Sequence, residues 1–114
     1  MSFNQCAVAD VMRTALAANI NAAYAAVGAP YTHFIRIMFM DNLTNQNVII
    51  SFDGINDHFI LIASSTKEIN FTSNEVANYN GFFPPLNLQI YAKYETIQPT
   101  TGSLYIEAIY SRGN

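Results

Sequence analysis

Charged side chains are scarce in this sequence, where Asp, Glu, Lys and Arg together make up 11% of 114 residues. A typical soluble domain carries about 25% of such residues. Asn, Thr, Ser and Gln supply most of the remaining polar character, while the chain has 7 Tyr and 8 Phe. Protein interfaces are depleted in Lys, Glu and Asp and enriched in aromatic residues. The composition therefore predicts a subunit that contacts other subunits, with a monomer bearing an Asn- and Thr-rich surface as the alternative.

Several other classes of protein are disfavoured by what is missing. The net charge is −3 and Lys and Arg form no cluster, so the electrostatic footprint of nucleic-acid binding is absent. The single cysteine, Cys6, has no partner for an internal disulfide. No apolar run reaches the about 18 residues of a membrane span, and residues 1–18 lack the pattern of a secretory signal. We therefore expect a protein made in the cytoplasm, without a nucleic-acid or membrane partner.

Short apolar runs separated by polar turns dominate the chain from Phe34 onward. A period of two or a β-branched composition predicts six strands, at residues 34–40, 48–52, 58–63, 67–72, 88–95 and 104–111. Asp53-Gly54 adds a hairpin signal, with glycine where a positive φ is needed. Together with a strand near the N-terminus, these segments predict an all-β chain, an antiparallel β-sandwich of jelly-roll-like topology.

The N-terminal region is ambiguous. Val8, Val11 and Met12 fall on a helical stripe, whereas apolar residues alternate with a period of two from Leu16 onward. We predict an N-terminal arm or short helix over residues 1–13, followed by a long strand that ends near Val27, with a helix through residue 18 as an open alternative. Residues 14–114 would then form a single sandwich domain.

Three groups of residues could in principle form chemical sites. Oxygen-bearing side chains lie close together in the turn at 53–57, but a Ca²⁺ ion needs six to eight oxygen ligands. His33 and His58 lack the ligand spacing of a zinc site. Cys6 has no histidine near it in sequence that could activate it. The sequence thus predicts no metal, no cofactor, no catalytic residue and no enzymatic activity.

Aromatic residues suggest a second possible function. A jelly roll can bind carbohydrate through exposed rings, and the candidate platform consists of Tyr79, Phe82, Phe83, Tyr91 and Tyr94. Tryptophan, which stacks best on sugars, is absent from the chain. The alternative role for these rings is core filling combined with a subunit contact, since Tyr and Phe supply large contact area in either setting.

A series of short motifs covers most of the chain. In order they are Tyr-Ala-Ala-Val-Gly (24–28), Phe-Ile-Arg-Ile (34–37), Asp-Asn-Leu-Thr-Asn (41–45), Val-Ile-Ile-Ser-Phe-Asp-Gly with Asn-Asp-His (48–58), Thr-Ser-Asn (72–74) and Pro-Thr-Thr-Gly-Ser-Leu-Tyr-Ile (99–106). In this combination, over roughly residues 20–112, the chain resembles a family of small virion proteins from tailed bacteriophages. The resemblance implies a compact β-sandwich that decorates or cements a capsid, or that belongs to the neck or tail. The resemblance implies no catalytic residues.

From composition and resemblance together we expect a non-enzymatic structural protein of a phage particle. Its expected role is capsid cement or decoration, as a homo-oligomer that contacts the major capsid protein or neck and tail components. The alternative is a carbohydrate-binding or host-recognition module on a neck or tail. The residues expected at the assembly interface are apolar and lie in two segments: Phe3, Val8, Val11 and Met12, and Tyr79, Phe82 and Phe83.

Overall fold

The computed structural model describes residues 6–71 and 86–112, and within these ranges nine strands form two antiparallel sheets. The larger sheet contains β1 (Cys6–Ala9), β2 (Arg13–Leu16), β4 (Ile35–Asn42), β7 (Ser65–Asn70) and β9 (Ser103–Arg112). Its order is β1-β9-β4-β7, with β2 also paired to β9. The smaller sheet contains β3 (Ala25–Ala26), β5 (Val48–Ser51), β6 (Phe59–Leu61) and β8 (Tyr91–Tyr94), in the order β3-β8-β5-β6. The predicted all-β antiparallel sandwich is confirmed, and its jelly-roll-like topology stays a prediction.

Large apolar side chains fill the space between the two sheets. In β4, Met38 and Met40 are fully buried, while Ile37, Phe39 and Asp41 alternate with them on the outer face and are half-buried. Buried and half-buried residues alternate in this way when an antiparallel sheet packs one face on the core and turns the other toward solvent. The remaining core side chains come from both sheets and their connections, and include Ile20, Val48, Ile50, Leu61, Ile90, Leu104 and Ile106.

The N-terminal segment is extended and is part of the larger sheet. Cys6–Ala9 pairs antiparallel with β9, from Cys6 opposite Arg112 to Ala9 opposite Ile109. The described part of the predicted arm or short helix is therefore a sheet strand as far as residue 9. No helix in the described ranges has the length and apolar character needed to cross a membrane.

The predicted long strand from residue 14 to Val27 is wrong. The strand stops at Leu16, and a 3₁₀ turn follows at Ala17–Asn19, with Ala17 and Ile20 buried. The chain rejoins a ladder only at Ala25–Ala26, which lies in the smaller sheet. This segment therefore crosses from one sheet to the other. Alanine is common in this segment, so its two faces differ little in side-chain size or hydrophobicity. A period of two in such a segment is therefore a weak indication of a strand.

Candidate functional site

An irregularity in the edge strand beside β9 is the starting point for the site. Ala9 lies opposite Ile109 and Arg13 opposite Ile106, so residues 10–12 lie opposite only two residues of β9. This segment, residues 10–12, has one residue more than the part of β9 opposite it and is here named the edge bulge. A bulge interrupts the ladder and turns side chains in new directions. Val11 and Met12, the two apolar residues of this segment, are 76% and 49% exposed.

The Arg13 side chain holds the edge bulge in place. Its guanidinium donates to the carbonyls of Val11, Ala29 (3.2 Å) and Pro30 (3.3 Å) and to Asp10 Oδ1 (3.1 Å). The side chain is only 10% exposed, and its Cζ lies 3.9 Å from the centroid of the Tyr31 ring. Arginine presents several donors in a rigid fork, so one side chain can link the bulge to the 29–30 connection. The bulge is therefore a fixed feature of the fold.

Gly28 makes room for this arginine. Its φ is +68°, a backbone conformation that L side chains rarely adopt, and a Cβ at this position would overlap Arg13 Cγ. The Tyr31 ring beneath the guanidinium is buried, and that burial raises the pKa of its hydroxyl to about 12. The hydroxyl therefore stays protonated at neutral pH and contributes no charge beside Arg13.

Asp10 and His33 complete the inner side of the bulge. Asp10 Oδ1 accepts from the backbone N–H of Val11 at 2.7 Å, a local bond that stabilises the turn. Its Oδ2 lies 3.9 Å from His33 Nδ1. The His33 ring stacks on Tyr110, with ring centroids 3.8 Å apart and planes inclined by 2°. These contacts tie the bulge to the 31–34 connection and to β9.

Two open depressions flank the edge bulge. On the outer face of the larger sheet is a groove of about 240 Å³, here named the outer groove, lined by Ala9, Asp10, Met12, Phe39, Glu107, Ala108 and Ile109. On the other side is a wider depression of about 420 Å³, lined by residues 10–14, Gly28 and Ala29. The bulge thus stands as a ridge between two concave surfaces. Such a surface can receive part of another protein, and its apolar crest can enter a neighbour's pocket.

The acidic turn at 53–57 is held by its own hydrogen bonds. Asp53 Oδ1 accepts from Ser51 Oγ at 2.8 Å and from the backbone N–H groups of Ile55 (2.8 Å) and Asn56 (2.9 Å). Asn56 Nδ2 donates to Asp53 Oδ2 at 2.8 Å. The backbone donors, first that of Asn56, hold the pKa of Asp53 well below its usual range. The carboxylate is thereby used to shape the loop, and Gly54 at φ +76° has the positive φ that the sequence predicts.

His58 belongs to the same loop. Its Nδ1 accepts the backbone N–H of Phe52 at 2.9 Å, so the neutral ring carries its proton on Nε2, which lies 3.9 Å from Asp53 Oδ2. Within residues 6–71 and 86–112, no group of three or more His, Cys, Asp and Glu side chains is placed to hold a metal ion.

One polar cluster was not anticipated from the sequence. The Tyr24 hydroxyl donates to Asp57, and Lys93 Nζ lies 3.3 Å from the same carboxylate and 4.7 Å from the centre of the Tyr24 ring. Burial, followed by the bond to Asp57, raises the pKa of Tyr24. Arg13 was also missed as an organising residue. Both clusters join segments far apart in sequence, and the only local hint is the Gly28-Ala29-Pro30 break, whose carbonyls receive Arg13.

The predicted interface residues have different placements. Val11 and Met12 lie on the crest of the edge bulge, whereas Val8 faces inward and packs against the core. Phe3, Tyr79, Phe82 and Phe83 lie outside the described residues.

Two members of the proposed sugar platform can be placed. Tyr91 and Tyr94 point to opposite faces of β8, because three positions separate them. Tyr94 packs against the core, while the Tyr91 ring lies near Gly54. These two rings therefore do not form one stacking surface.

Comparison of the chain with protein-family models, with curated proteins and with solved structures found no match.

Proposed function

We propose that this chain is a non-enzymatic structural subunit of a tailed-phage particle, a capsid cement or decoration protein that works through protein–protein contacts. The observation that carries the proposal is the edge bulge, a ridge fixed by Arg13 that presents Val11 and Met12 to solvent. An exposed apolar residue alone is ordinary. Two of them on a ridge held by the hydrogen bonds of Arg13 form a preorganised contact surface, which loses little conformational entropy on binding.

The energetic gain from such a contact is substantial. Full burial of a Val or Met side chain is worth about 1.5–3 kcal/mol, and a rigid bulge would deliver both at once. Further large apolar side chains are exposed over the sandwich, including Leu16, Phe34, Leu43, Ile62 and Ile97. Together with a charged fraction of 11%, they favour a surface that is covered in an assembly. The resemblance to virion proteins of tailed phages is the reason for proposing a phage particle as that assembly.

The proposal also includes a homo-oligomer. Size-exclusion chromatography with light scattering at several concentrations should give a defined dimer, trimer or larger ring. A monomer at every concentration would contradict self-association in solution, and would leave attachment to the particle as the assembling step.

Particle association is tested with the phage that encodes the chain. Particles purified on a density gradient should carry the chain at a fixed stoichiometry, detected with an antibody, and gold labelling should locate it on capsid, neck or tail. The double variant Val11→Asp/Met12→Asp should lower its occupancy on particles. A chain found only in the soluble fraction would refute the proposal.

A matched control comes from the loop at 52–58. Ile55 is 80% exposed, so Ile55→Asp replaces one exposed apolar side chain by a carboxylate without touching the edge bulge, and it is compared with the single variant Val11→Asp. The occupancy of Ile55→Asp should equal that of the wild type. Deleting residues 1–13 is a weaker test, because the deletion also removes β1 from its pairing with β9. Point substitutions at the bulge separate loss of contact from loss of fold.

A further inference from the structure

The outer face of the larger sheet combines apolar and acidic side chains in a regular pattern. Phe39 lies directly opposite Glu68 on one side and Glu107 on the other. Two residues along β4, Asp41 occupies the same face. In the row beyond Phe39, Ile37 lies opposite Ile109. The face therefore has a half-buried apolar centre with three carboxylates around it.

Two of these carboxyl groups are neighbours on this face. Asp41 lies two residues along β4 from Phe39, the residue opposite Glu107 in β9, and its carboxyl group raises the pKa of Glu107, first through hydrogen bonding. Thr66 Oγ1 donates to Asp41 Oδ1 at 2.9 Å. Two carboxyl groups can be hydrogen-bonded only if one of them keeps its proton. At neutral pH the pair therefore repels, and a cation placed between the two groups would remove that repulsion.

We infer that the outer groove and its acidic margin form a docking surface for a segment of another protein that carries Lys or Arg between apolar residues. The groove is lined by Met12, Phe39 and Ile109, next to Glu107. A Lys or Arg side chain buries its aliphatic stem along an apolar surface while its charged end reaches polar groups. The stem would lie along the groove and the cation would meet Glu107 and Asp41.

Charge complementarity favours a different protein over a second copy of this chain. The chain has 5 Lys and Arg and a net charge of −3. Arg13 is engaged at the edge bulge, Lys93 pairs with Asp57 at 3.3 Å, and Lys67 lies 5.9 Å from the centre of the Phe59 ring. Two acidic copies would repel at this face, whereas a basic partner would be attracted to it.

The inference rests on the proposed function, since it names the partner chemistry of one surface of an assembling subunit. The probe is a synthetic peptide, Gly-Leu-Lys-Leu-Lys-Leu-Gly, and its matched form with Glu at both Lys positions. Each is titrated into ¹⁵N-labelled full-length chain, and binding is followed by amide shifts. The Lys peptide should shift amides of residues 9–12, 37–41 and 105–109, and added salt should weaken its binding.

Two variants test the acidic margin. Glu107→Gln and Asp41→Asn should each weaken the Kd of the Lys peptide by about two- to fivefold, as expected for an exposed ion pair. Glu95→Gln is the matched control, because Glu95 lies after β8 in the other sheet and Gln retains an acceptor for Asn47 Nδ2, which donates to Glu95 Oε1 at 3.1 Å. Its Kd should be unchanged. A dispersed amide spectrum for each variant confirms that it is folded.

Several results would overturn the inference: equal shifts with the Glu peptide, unchanged affinity in both variants, shifts confined to other faces, or no binding. Such a result leaves the proposed function intact if the chain is found on particles. Conversely, Lys-peptide binding at the groove by a chain absent from particles would refute the phage role and retain the docking surface.

Discussion

The side-chain amide of Asn42, at the end of β4, donates a hydrogen bond of 2.9 Å to the carbonyl of Leu61 in β6. The two residues belong to different sheets, so this bond joins the layers of the sandwich. The same amide donates to the carbonyl of Gln46 at 2.9 Å, and Asn42 Oδ1 accepts from the backbone N–H (3.0 Å) and hydroxyl (2.6 Å) of Thr44. Asn42 is fully buried, and each of its polar atoms is satisfied, as a buried amide requires.

We expect Asn42→Ala to be strongly destabilising. The substitution removes the donor to the buried carbonyl of Leu61 and the acceptor of the buried Thr44 N–H, and each unsatisfied buried group costs about 1–3 kcal/mol. The free energy of unfolding should fall by about 2–4 kcal/mol, measured by urea denaturation. Asn45→Ala is the matched control, since Asn45 bonds Thr100 at the exposed surface. A loss no larger than that of the control would contradict a bridging role for Asn42.

We expect Gly28→Ala to cost more stability than Gly54→Ala. Both glycines have positive φ, +68° and +76°, but an added Cβ at Gly54 meets only the Tyr91 ring at 3.4 Å, an ordinary contact. The positive φ alone costs about 1–2 kcal/mol for an alanine. At Gly28 the overlap with Arg13 adds to that cost. Thermal or urea unfolding of the two variants measures the difference.

A double-mutant cycle identifies the cause. Truncating the arginine in Arg13→Ala removes the overlapping Cγ, so the extra cost of Gly28→Ala should shrink toward that of Gly54→Ala. Additive effects of the two substitutions would show that Arg13 is not what excludes a side chain at Gly28.

The sequence predicts the strands from Phe34 onward better than it predicts the segment that precedes them. Each of the six strands predicted from Phe34 onward overlaps an observed strand, because each segment is a short run of alternating or β-branched apolar residues between polar turns. The crossing at 17–24 has the alternation of a strand without being one, because alanine is small enough for either face. The edge bulge is recognised only from the pairing of the residues on either side of it with β9. The sequence of the segment alone does not contain that pairing.

The candidate site was only partly predictable for the same reason. Val11 and Met12 could be singled out as apolar residues in a weakly patterned segment. The exposure of these two side chains depends on Arg13, whose guanidinium donates to the carbonyls of residues 29 and 30, more than a dozen positions further along the chain. Likewise, the neighbours of Glu107 are set by the pairing of β9 with β4. Sequence reasoning finds the residue types, and tertiary pairing decides which of them meet.

We expect the loop at 53–57 to make stability fall in acid. The folded-state pKa of Asp53 is lowered by the N–H groups of Asn56 and Ile55, so its stabilising contribution is complete above the unfolded pKa of about 3.9. That contribution is lost as pH decreases through 3.9 toward the folded-state value. Asp53→Asn removes the charge and keeps one acceptor oxygen. Urea denaturation should show it less stable than the wild type at neutral pH, with the difference closing in acid. A difference independent of pH would argue against the titration of Asp53.

We expect Glu107→Gln to stabilise the chain at neutral pH. The hydrogen bond to Asp41 raises the folded-state pKa of Glu107 above its unfolded value of about 4.3. A raised pKa means that the folded state binds the proton more tightly, so this contribution is complete below 4.3 and is lost as pH rises through the folded-state value. Glutamine donates to Asp41 at every pH and carries no charge. The variant's melting temperature should exceed that of the wild type at pH 7, and the two should converge below pH 4. Glu95→Gln, away from any such pair, should show no comparable gain, and a Glu107→Gln variant that melts below the wild type at pH 7 would contradict the repulsion between the two carboxyl groups.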